Sequence, residues 1–126
     1  FLARRIDHAL QHGIAADRLI IDPGHDLHKT TVHSLELTRR LGEITSLGHP
    51  TLAAVSNKDF VGESLGLPRE QRLEGSLAAA VVCALNGARI FRMHEPAQAR
   101  RALDMAATIM GLHEPVEARH NMEGPR

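Results

Sequence analysis

Polar and charged side chains follow three short apolar runs of this chain, at the point where each run ends. They are, in order, Asp22, then Ser56 and Lys58, then Arg92 and His94. A carboxylate that closes a buried run must be solvated, paired or used, because an isolated buried charge is costly. Two cations and a hydroxyl at neighbouring strand ends can hold a negatively charged group. We therefore expect an anion-binding site at these positions.

The last run also predicts the direction in which its side chains point. Successive side chains of a strand point to opposite faces. Arg92 and His94 should therefore share one face, while Phe91 and Met93 pack under helices. In the alternative interpretation of the cations, Lys58 and Arg92 form ordinary ion pairs on the surface, which contribute little energy.

Histidines and acids crowd the segment after the first run, which raises the question of a metal site. The candidates are Asp22, His25, Asp26, His28 and His33. No two of these histidines have the i, i+4 spacing of a helical zinc motif. We therefore predict no metal ligands here and interpret the segment as a polar, pH-sensitive surface loop. Cys83, the single cysteine, lies in an alanine-rich apolar segment and is expected to be a packed, reduced thiol.

Helix and strand patterns alternate along the chain and position these side chains. Apolar residues at helical spacing predict a first helix that ends at Gly13. The further predicted elements are a strand at 19–22, a helix through 37–44, a strand at 51–55, a connector or short helix at 59–67, a long helix at 68–86, a strand at 89–93 and a helix at 96–110. Residues 113–126 are predicted to be a polar, frayed tail.

This alternation predicts an α/β fold with parallel strands and right-handed crossovers. Three strands cannot close a barrel, so the chain is either part of a larger protein, such as a (β/α)8 barrel of about 250 residues, or a small open sheet. The first residue is Phe1 rather than Met, which favours the part of a larger barrel. In such a barrel the polar strand ends lie at the C-terminal face, where catalysis takes place.

Composition excludes some classes of partner. Fifteen basic residues balance fifteen acidic ones in a chain of 126 residues, so no overall field draws the protein to nucleic acid. The longest apolar run, residues 77–85, is far shorter than the about 20 residues of a membrane-spanning helix. We expect a cytoplasmic protein that binds neither nucleic acid nor membranes.

Four sequence motifs, in order and spacing, resemble the C-terminal half of dihydropteroate synthase. They are IDPG at residues 21–24 followed by Lys29, SNKDFVG at 56–62, RLEGSLAAA at 72–80 and RMHE at 92–95, within a match over about residues 3–112. The resemblance implies the C-terminal part of a pterin-binding (β/α)8 TIM barrel, strands six to eight with their helices, over residues 1–112. It also implies a homodimer that forms through the late helices.

The family reaction, a transferase step of folate biosynthesis, joins 6-hydroxymethyl-dihydropterin diphosphate to p-aminobenzoate and releases diphosphate. By resemblance, Asp22 accepts two hydrogen bonds from the pterin, and Lys58 lies along it. Arg92 and His94 resemble the pair that holds the diphosphate leaving group, and Ser56 belongs to the same substrate-binding set. The implied chemistry is a dissociative displacement without a protein nucleophile. Mg²⁺ is the implied cofactor, with ligands expected in the N-terminal half.

The chain departs from the family pattern on the side expected to bind p-aminobenzoate. Residues 25–28 replace a Gly-Phe-Gly-rich loop, so Leu27 stands where the family has an aromatic side chain. Asn57 and Asp59 stand in place of an arginine and a serine, so a cation is lost and an anion is gained. A carboxylate there repels the carboxylate of p-aminobenzoate. We therefore predict a divergent paralogue that binds pterin and has weak or lost synthase activity.

Three other interpretations stay open on the sequence. One is a fully active synthase, and another is a non-catalytic module that binds or dimerises through the alanine-rich faces of its late helices. A pterin-binding methyltransferase barrel shares the Asp at a strand end. It fits Lys58 and the spacing of Arg92 to His94 less well.

Overall fold

Six α-helices and two short β-strands make up the computed structural model over the residues that it describes, 1–121. The helices are α1 (Leu2–Gln11), α2 (Thr31–Arg39), α3 (Leu41–Thr45), α4 (Asp59–Leu65), α5 (Leu73–Leu85) and α6 (Pro96–Ile109), and the strands are β1 (Leu52–Ala53) and β2 (Ile90–Phe91). Of the tail predicted at 113–126, residues 113–121 contain neither helix nor strand, and residues 122–126 lie outside the described part.

The two strands pair in parallel, as the alternation of elements predicts. Leu52 lies opposite Ile90, and Ala53 lies opposite Phe91. The Arg92 N–H extends this pairing by donating to the Ala53 carbonyl at 3.2 Å. Parallel pairing brings the carboxyl ends of β1 and β2 to the same edge, so the residues that follow them meet there.

The predicted strand at 19–22 is wrong in length, because only one bridging residue forms. Ile21 makes a parallel bridge with Thr51, and its N–H donates to the Pro50 carbonyl at 2.9 Å. Ile20 points the other way and is 59% exposed. Within residues 1–121 this segment has a strand neighbour on one side alone, which leaves little to extend its ladder. The three predicted strand positions nevertheless lie side by side, with residues 51–53 in the middle.

One cluster of buried apolar side chains joins the strands to α3, α4 and α5. Its members are Leu41, Ala53, Val55, Phe60, Val61, Ala80, Cys83 and Ala88. Phe91 and Met93 pack against this cluster, as strand periodicity predicts. Cys83 is fully buried, and burial raises the pKa of its thiol to about 12. The prediction of a packed thiol is confirmed, and a thiolate is disfavoured at neutral pH.

The helices exist where the pattern predicts them, but their bounds differ. The long helix predicted at 68–86 begins at Leu73, because Arg72 has a φ of −98° and a ψ of 5° and separates it from a 3₁₀ turn at Arg69–Gln71. Arg40, with a φ of −102° and a ψ of 17°, likewise divides α2 from α3. The segment at 59–67 is a short helix that ends at Gly66 in the left-handed conformation. In the described part of the chain, no helix is long and apolar enough to cross a membrane.

Candidate functional site

A cleft of about 390 Å³ opens at the edge where β1 and β2 end. Its lining comes from the residues that follow β1, from those that follow β2, and from the 3₁₀ turn before α5. The lining residues are Ala54, Ser56, Asn57, Lys58, Arg69, Arg92 and His94. The structure therefore brings together four of the predicted site residues, and it adds Arg69, which sequence reasoning missed.

A hydrogen-bonded network connects the ends of the two strands. The Ser56 side chain is buried, and its Oγ accepts the His94 backbone N–H at 3.0 Å. The same Oγ lies 3.0 Å from His94 Nδ1. Arg92 Nη1 lies 3.1 Å from Nδ1 and 2.9 Å from Nε2 of that ring. Arg92 and His94 therefore share one face, which confirms the strand parity, and the guanidinium can donate to the ring only when the imidazole is neutral.

The loop between β1 and α4 is fixed from behind by two residues near the start of α5. Asn57 takes a left-handed φ of 55°, and its N–H donates to Oγ of the buried Ser76 at 2.9 Å. Arg72 Nη1 donates to the carbonyls of Asn57 at 3.1 Å and Lys58 at 3.3 Å. These bonds hold the backbone from which Lys58 reaches the cleft. The sequence did not predict the contacts of Ser76 and Arg72, because both residues lie far along the chain from Asn57 and reach it only in the folded structure.

The charge of the cleft has one sign. Among residues 1–121, Lys58, Arg69 and Arg92 contribute three cations to the cleft, and no carboxylate lines it. Counting partners among residues 1–121, none of these three side chains forms an ion pair. The alternative interpretation of Lys58 and Arg92 as members of surface ion pairs is therefore wrong over that range. Cations without acidic partners, beside a buried hydroxyl, make the cleft suited to an oxyanion.

The other three predicted site residues do not line this cleft. Asp22 is exposed, and its Oδ1 accepts the Gly24 N–H at 2.8 Å in a local turn. Leu27 is 62% exposed. Asp59 Oδ1 lies 3.1 Å from Arg72 Nη1, and its side chain is 81% exposed. The charge gained at Asp59 is thus partly balanced by a neighbouring guanidinium.

The loop at 24–29 is anchored more firmly than its polarity predicts. His25 is 1% exposed, its Nε2 lies 3.1 Å from Thr38 Oγ1, and its ring stacks on Phe60 with centroids 5.9 Å apart. Burial lowers its pKa to about 4. The prediction of a wholly exposed, pH-sensitive loop is therefore wrong at this position, because His25 is a buried, neutral packing residue at physiological pH.

Asp26 is the second anchor of this loop and was not recognised in the sequence as such. Its Oδ1 accepts the Ser34 hydroxyl at 2.8 Å, and its Oδ2 accepts the Phe60 N–H at 3.2 Å. Its own N–H donates to Ser34 Oγ at 3.1 Å. One carboxylate thus joins the loop to α2 and to the first turn of α4, where backbone N–H groups favour negative charge.

The described residues do not fit a magnesium site. Within residues 1–121, no group of three or more His, Cys, Asp or Glu side chains is arranged to hold a metal ion. The acids of the loop, Asp22 and Asp26, are engaged with a backbone N–H and with α2 and α4 respectively. No chemical step is therefore assigned to a metal on these residues.

Comparison with known proteins identifies the relatives of this chain. It is 47% identical over 106 residues to the inactive dihydropteroate synthase 2 of Mycobacterium tuberculosis, covering 84% of this chain and 33% of that protein. It is 37% identical over 95 residues to the dihydropteroate synthase of Escherichia coli K12, covering 75% of this chain and 34% of that protein. The chain thus spans about a third of the length of these relatives.

The fold has the same relatives. Superposition on the dihydropteroate synthase of Xanthomonas albilineans in complex with 7,8-dihydropteroate gives a TM-score of 0.84 at 38% identity, over 87% of this chain and 42% of that one. The predicted fold class is confirmed: the mixed α/β chain matches part of a TIM-barrel enzyme, consistent with the C-terminal part. The model of the pterin binding enzyme family matches residues 1–94. The chain therefore belongs to the pterin binding enzyme family.

Proposed function

We propose that the cleft binds the diphosphate of a pterin diphosphate in a divergent dihydropteroate synthase paralogue with weak or lost synthase activity. One observation carries the proposal: the Ser56–His94–Arg92 network and Lys58 meet in one cleft, and the described part of the chain contributes no carboxylate to its lining. A 47% identical relative is named an inactive dihydropteroate synthase 2. Residues 1–112 would be the C-terminal half of the pterin-binding barrel and 113–126 a polar tail.

The proposed roles are those that the family resemblance implies for these side chains, and each suits the donors or acceptors that the side chain offers. Arg92 and His94 would hold the diphosphate and balance the negative charge that grows on it as the carbon–oxygen bond breaks. Lys58 would lie along the pterin, and Ser56 would fix the His94 ring. Asp22 would accept two hydrogen bonds from the pterin through its two carboxylate oxygens. The amine would then attack the pterin cation, so no protein nucleophile is required.

The weakened part of the proposed reaction is the second substrate. Leu27 lacks the ring that covers p-aminobenzoate in the family, and aromatic pairs contribute about 0.5–1.5 kcal/mol beyond buried area. Asp59 would repel the substrate carboxylate by roughly 1–4 kcal/mol at about 4 Å, depending on solvent exposure. Its high exposure and its contact with Arg72 favour the lower end of that range. Pterin diphosphate would therefore still bind while its transfer to p-aminobenzoate is slow.

An active synthase is the second candidate, and a specific contact favours it. Arg72 lies 3.1 Å from the Asp59 carboxylate, so the anion that distinguishes this chain is partly balanced. If this balance is complete, the charge of Asp59 would not hinder binding of p-aminobenzoate. Relatives named dihydropteroate synthase are 37% identical to this chain. The two candidates share the pterin site and differ in the second substrate.

Steady-state turnover of the complete protein with pterin diphosphate and p-aminobenzoate separates the two candidates. We expect a rate far below that of the Escherichia coli enzyme assayed in parallel. Adding Asn57→Arg with Asp59→Ser should raise kcat/KM for p-aminobenzoate by about tenfold to a hundredfold, since about 1.4 kcal/mol corresponds to tenfold. Ordinary turnover by the unmodified protein would establish the active synthase instead. Absence of any response to the double variant would refute the charge argument.

We infer further properties from the same family membership. The protein is proposed to act in the cytoplasm, without nucleic acid or membrane as partners. A homodimer is proposed through α5 and α6, whose exposed apolar side chains include Val82, Leu85, Met105 and Ile109. Mg²⁺ would act with ligands from outside residues 1–121. A protein that binds no pterin would instead act as the non-catalytic dimerisation module.

A further inference from the structure

We propose that Arg69 is a further anion-binding residue of the cleft and contacts the diphosphate together with Arg92. This inference deepens the proposed function and rests on it. Arg69 lines the same cleft as Lys58, Arg92 and His94. It comes from a different element, the 3₁₀ turn before α5, so it adds a cation from a second side of the cleft.

The turn that carries Arg69 is held in place. Pro68 precedes it with a φ of −67°, and the Gln71 N–H donates to the Pro68 carbonyl at 3.0 Å. Arg72, directly after the turn, donates from Nε to the Leu67 carbonyl at 3.3 Å. The backbone beneath Arg69 is therefore fixed on both sides, so its side chain leaves from a defined position. A backbone that is already fixed does not have to be ordered when the side chain binds a ligand, which removes that part of the entropy cost of binding.

The charges around Arg69 favour a ligand over a structural role. Among residues 1–121 its side chain forms no ion pair, whereas the nearby Arg72 contacts Asp59 and three backbone carbonyls. Glu70, the adjacent residue, does not line the cleft. The guanidinium groups of Arg69 and Arg92 and the ammonium of Lys58 repel one another, and a bound anion would offset this repulsion. A diphosphate has enough oxygens to contact all three cations.

Titration of the complete protein with inorganic diphosphate tests the inference by calorimetry. We expect Arg69→Gln to weaken binding by about tenfold or more, as the loss of one charge-assisted contact does. Arg101→Gln is the matched control, because Arg101 is exposed on α6 and does not line the cleft. Its affinity should equal that of the unmodified protein.

A second variant separates a ligand contact from a structural effect. Arg69→Lys keeps a cation at position 69, so it should retain at least half of the binding free energy that Arg69→Gln loses. Equal binding by Arg69→Gln and the unmodified protein, with Arg92→Gln still impaired, would overturn the role of Arg69 and leave the proposed function standing. No binding of diphosphate by the unmodified protein would overturn both.

Discussion

A single buried imidazole connects the loop after Ile21 to helix α2. The Thr38 hydroxyl donates to the Ser34 carbonyl at 2.8 Å, so its oxygen accepts from His25 Nε2 at 3.1 Å. Nδ1 of His25 is then the unprotonated nitrogen, and it is buried without a partner among residues 1–121. Protonation there would place a charge and an unsatisfied donor in the interior, which explains the lowered pKa of about 4.

The buried imidazole makes stability depend on pH. The unfolded chain gains a proton at His25 below about pH 6.5, whereas the folded chain gains it only near pH 4. The contribution of His25 to the free energy of unfolding is therefore largest above about pH 6.5 and decreases as the pH falls towards 4. Below pH 4 it no longer changes. We expect the free energy of unfolding of the complete protein, measured with urea, to fall by up to about 3 kcal/mol between pH 6.5 and pH 4 because of His25.

The matched variants are His25→Gln and His28→Gln. A glutamine at position 25 can still donate to Thr38 but does not titrate. Most of the decrease in the free energy of unfolding between pH 6.5 and pH 4 should therefore disappear in His25→Gln. His28 is exposed, and its replacement should leave the decrease unchanged. An unaltered pH profile in His25→Gln would refute the assignment.

Two neighbouring residues share a strained backbone but differ in what their side chains do. Asp26 has a φ of 63° and His28 a φ of 49°, a region that costs residues other than glycine about 1–2 kcal/mol. Asp26 offsets this cost by accepting from Ser34 and from the Phe60 N–H. His28 has no such hydrogen bond within residues 1–121 and is exposed.

Glycine substitutions at these two positions should therefore have opposite signs. We expect His28→Gly to stabilise the protein by about 0.5–1 kcal/mol, since it removes the strain. Asp26→Gly removes the same strain but leaves the α4 N-terminus without its cap, and should destabilise by about 1–2 kcal/mol. Chemical unfolding measures both. The same sign for both variants would show that the Asp26 contacts contribute little.

The roles of single residues were only partly predictable. Ser56, Lys58, Arg92 and His94 could be grouped from sequence, because parallel strands bring their carboxyl ends to one edge and strand parity sets direction. The burial of His25 could not, since its partner Thr38 lies thirteen positions away on a helix. Local polarity alone predicts an exposed loop there.

At the scale of elements, the close approach of α4 and α5 positions the loop that carries Lys58. A Cβ added at Gly62 in α4 would lie 2.2 Å from Arg72 Nε, and one added at Gly75 in α5 would lie 2.6 Å from Val61 Cγ1. The absence of side chains at both glycines lets the helices pack and leaves room for the Arg72 guanidinium. That guanidinium bonds the backbone of Asn57 and Lys58.

Alanine at Gly62 should displace Arg72 from these carbonyls. We expect a destabilisation of about 1–3 kcal/mol, typical of lost hydrogen bonds to a charged group, and weaker diphosphate binding because Lys58 loses its support. Gly42→Ala in α3 is the control, since its Cβ would approach Asn86 Oδ1 only to 3.8 Å. It should stabilise by about 0.5–1 kcal/mol. If Gly62→Ala and Gly42→Ala changed the free energy of unfolding and the diphosphate affinity equally, the role of Arg72 would be contradicted.

The sequence predicted the type of each element, helix or strand, better than the residues at which it begins and ends. Apolar spacing identified the helical segments, because α2 to α6 each bury side chains within the fold. The first helix, α1, has the same spacing but no buried residue. The start of α5 was missed because Arg69–Gln71 form a 3₁₀ turn instead of a first helical turn. The strand predicted at 19–22 is a single bridge at Ile21, because a longer strand needs hydrogen-bonding partners along its length. The sequence of one segment does not show which other segments will pair with it.

At the scale of the whole molecule, the chain forms part of a barrel and carries a positively charged cleft. The cleft, its cations and the loop supports all lie within residues 21–94. Of the changed residues, Leu27 and Asp59 lie outside the cleft lining, whereas Asn57 lies in it, next to Lys58. Two of the three changed residues are thus separate from the cations of the cleft, so in the proposed function pterin diphosphate still binds while use of the second substrate declines.

Equilibrium titration of the complete protein with 6-hydroxymethyl-dihydropterin diphosphate tests this separation most directly. We predict saturable binding at one site per chain, weakened about tenfold or more by Arg92→Gln and unchanged by Arg101→Gln. Absence of saturable binding, or equal binding by Arg92→Gln and the unmodified protein, would contradict the assignment of the cleft.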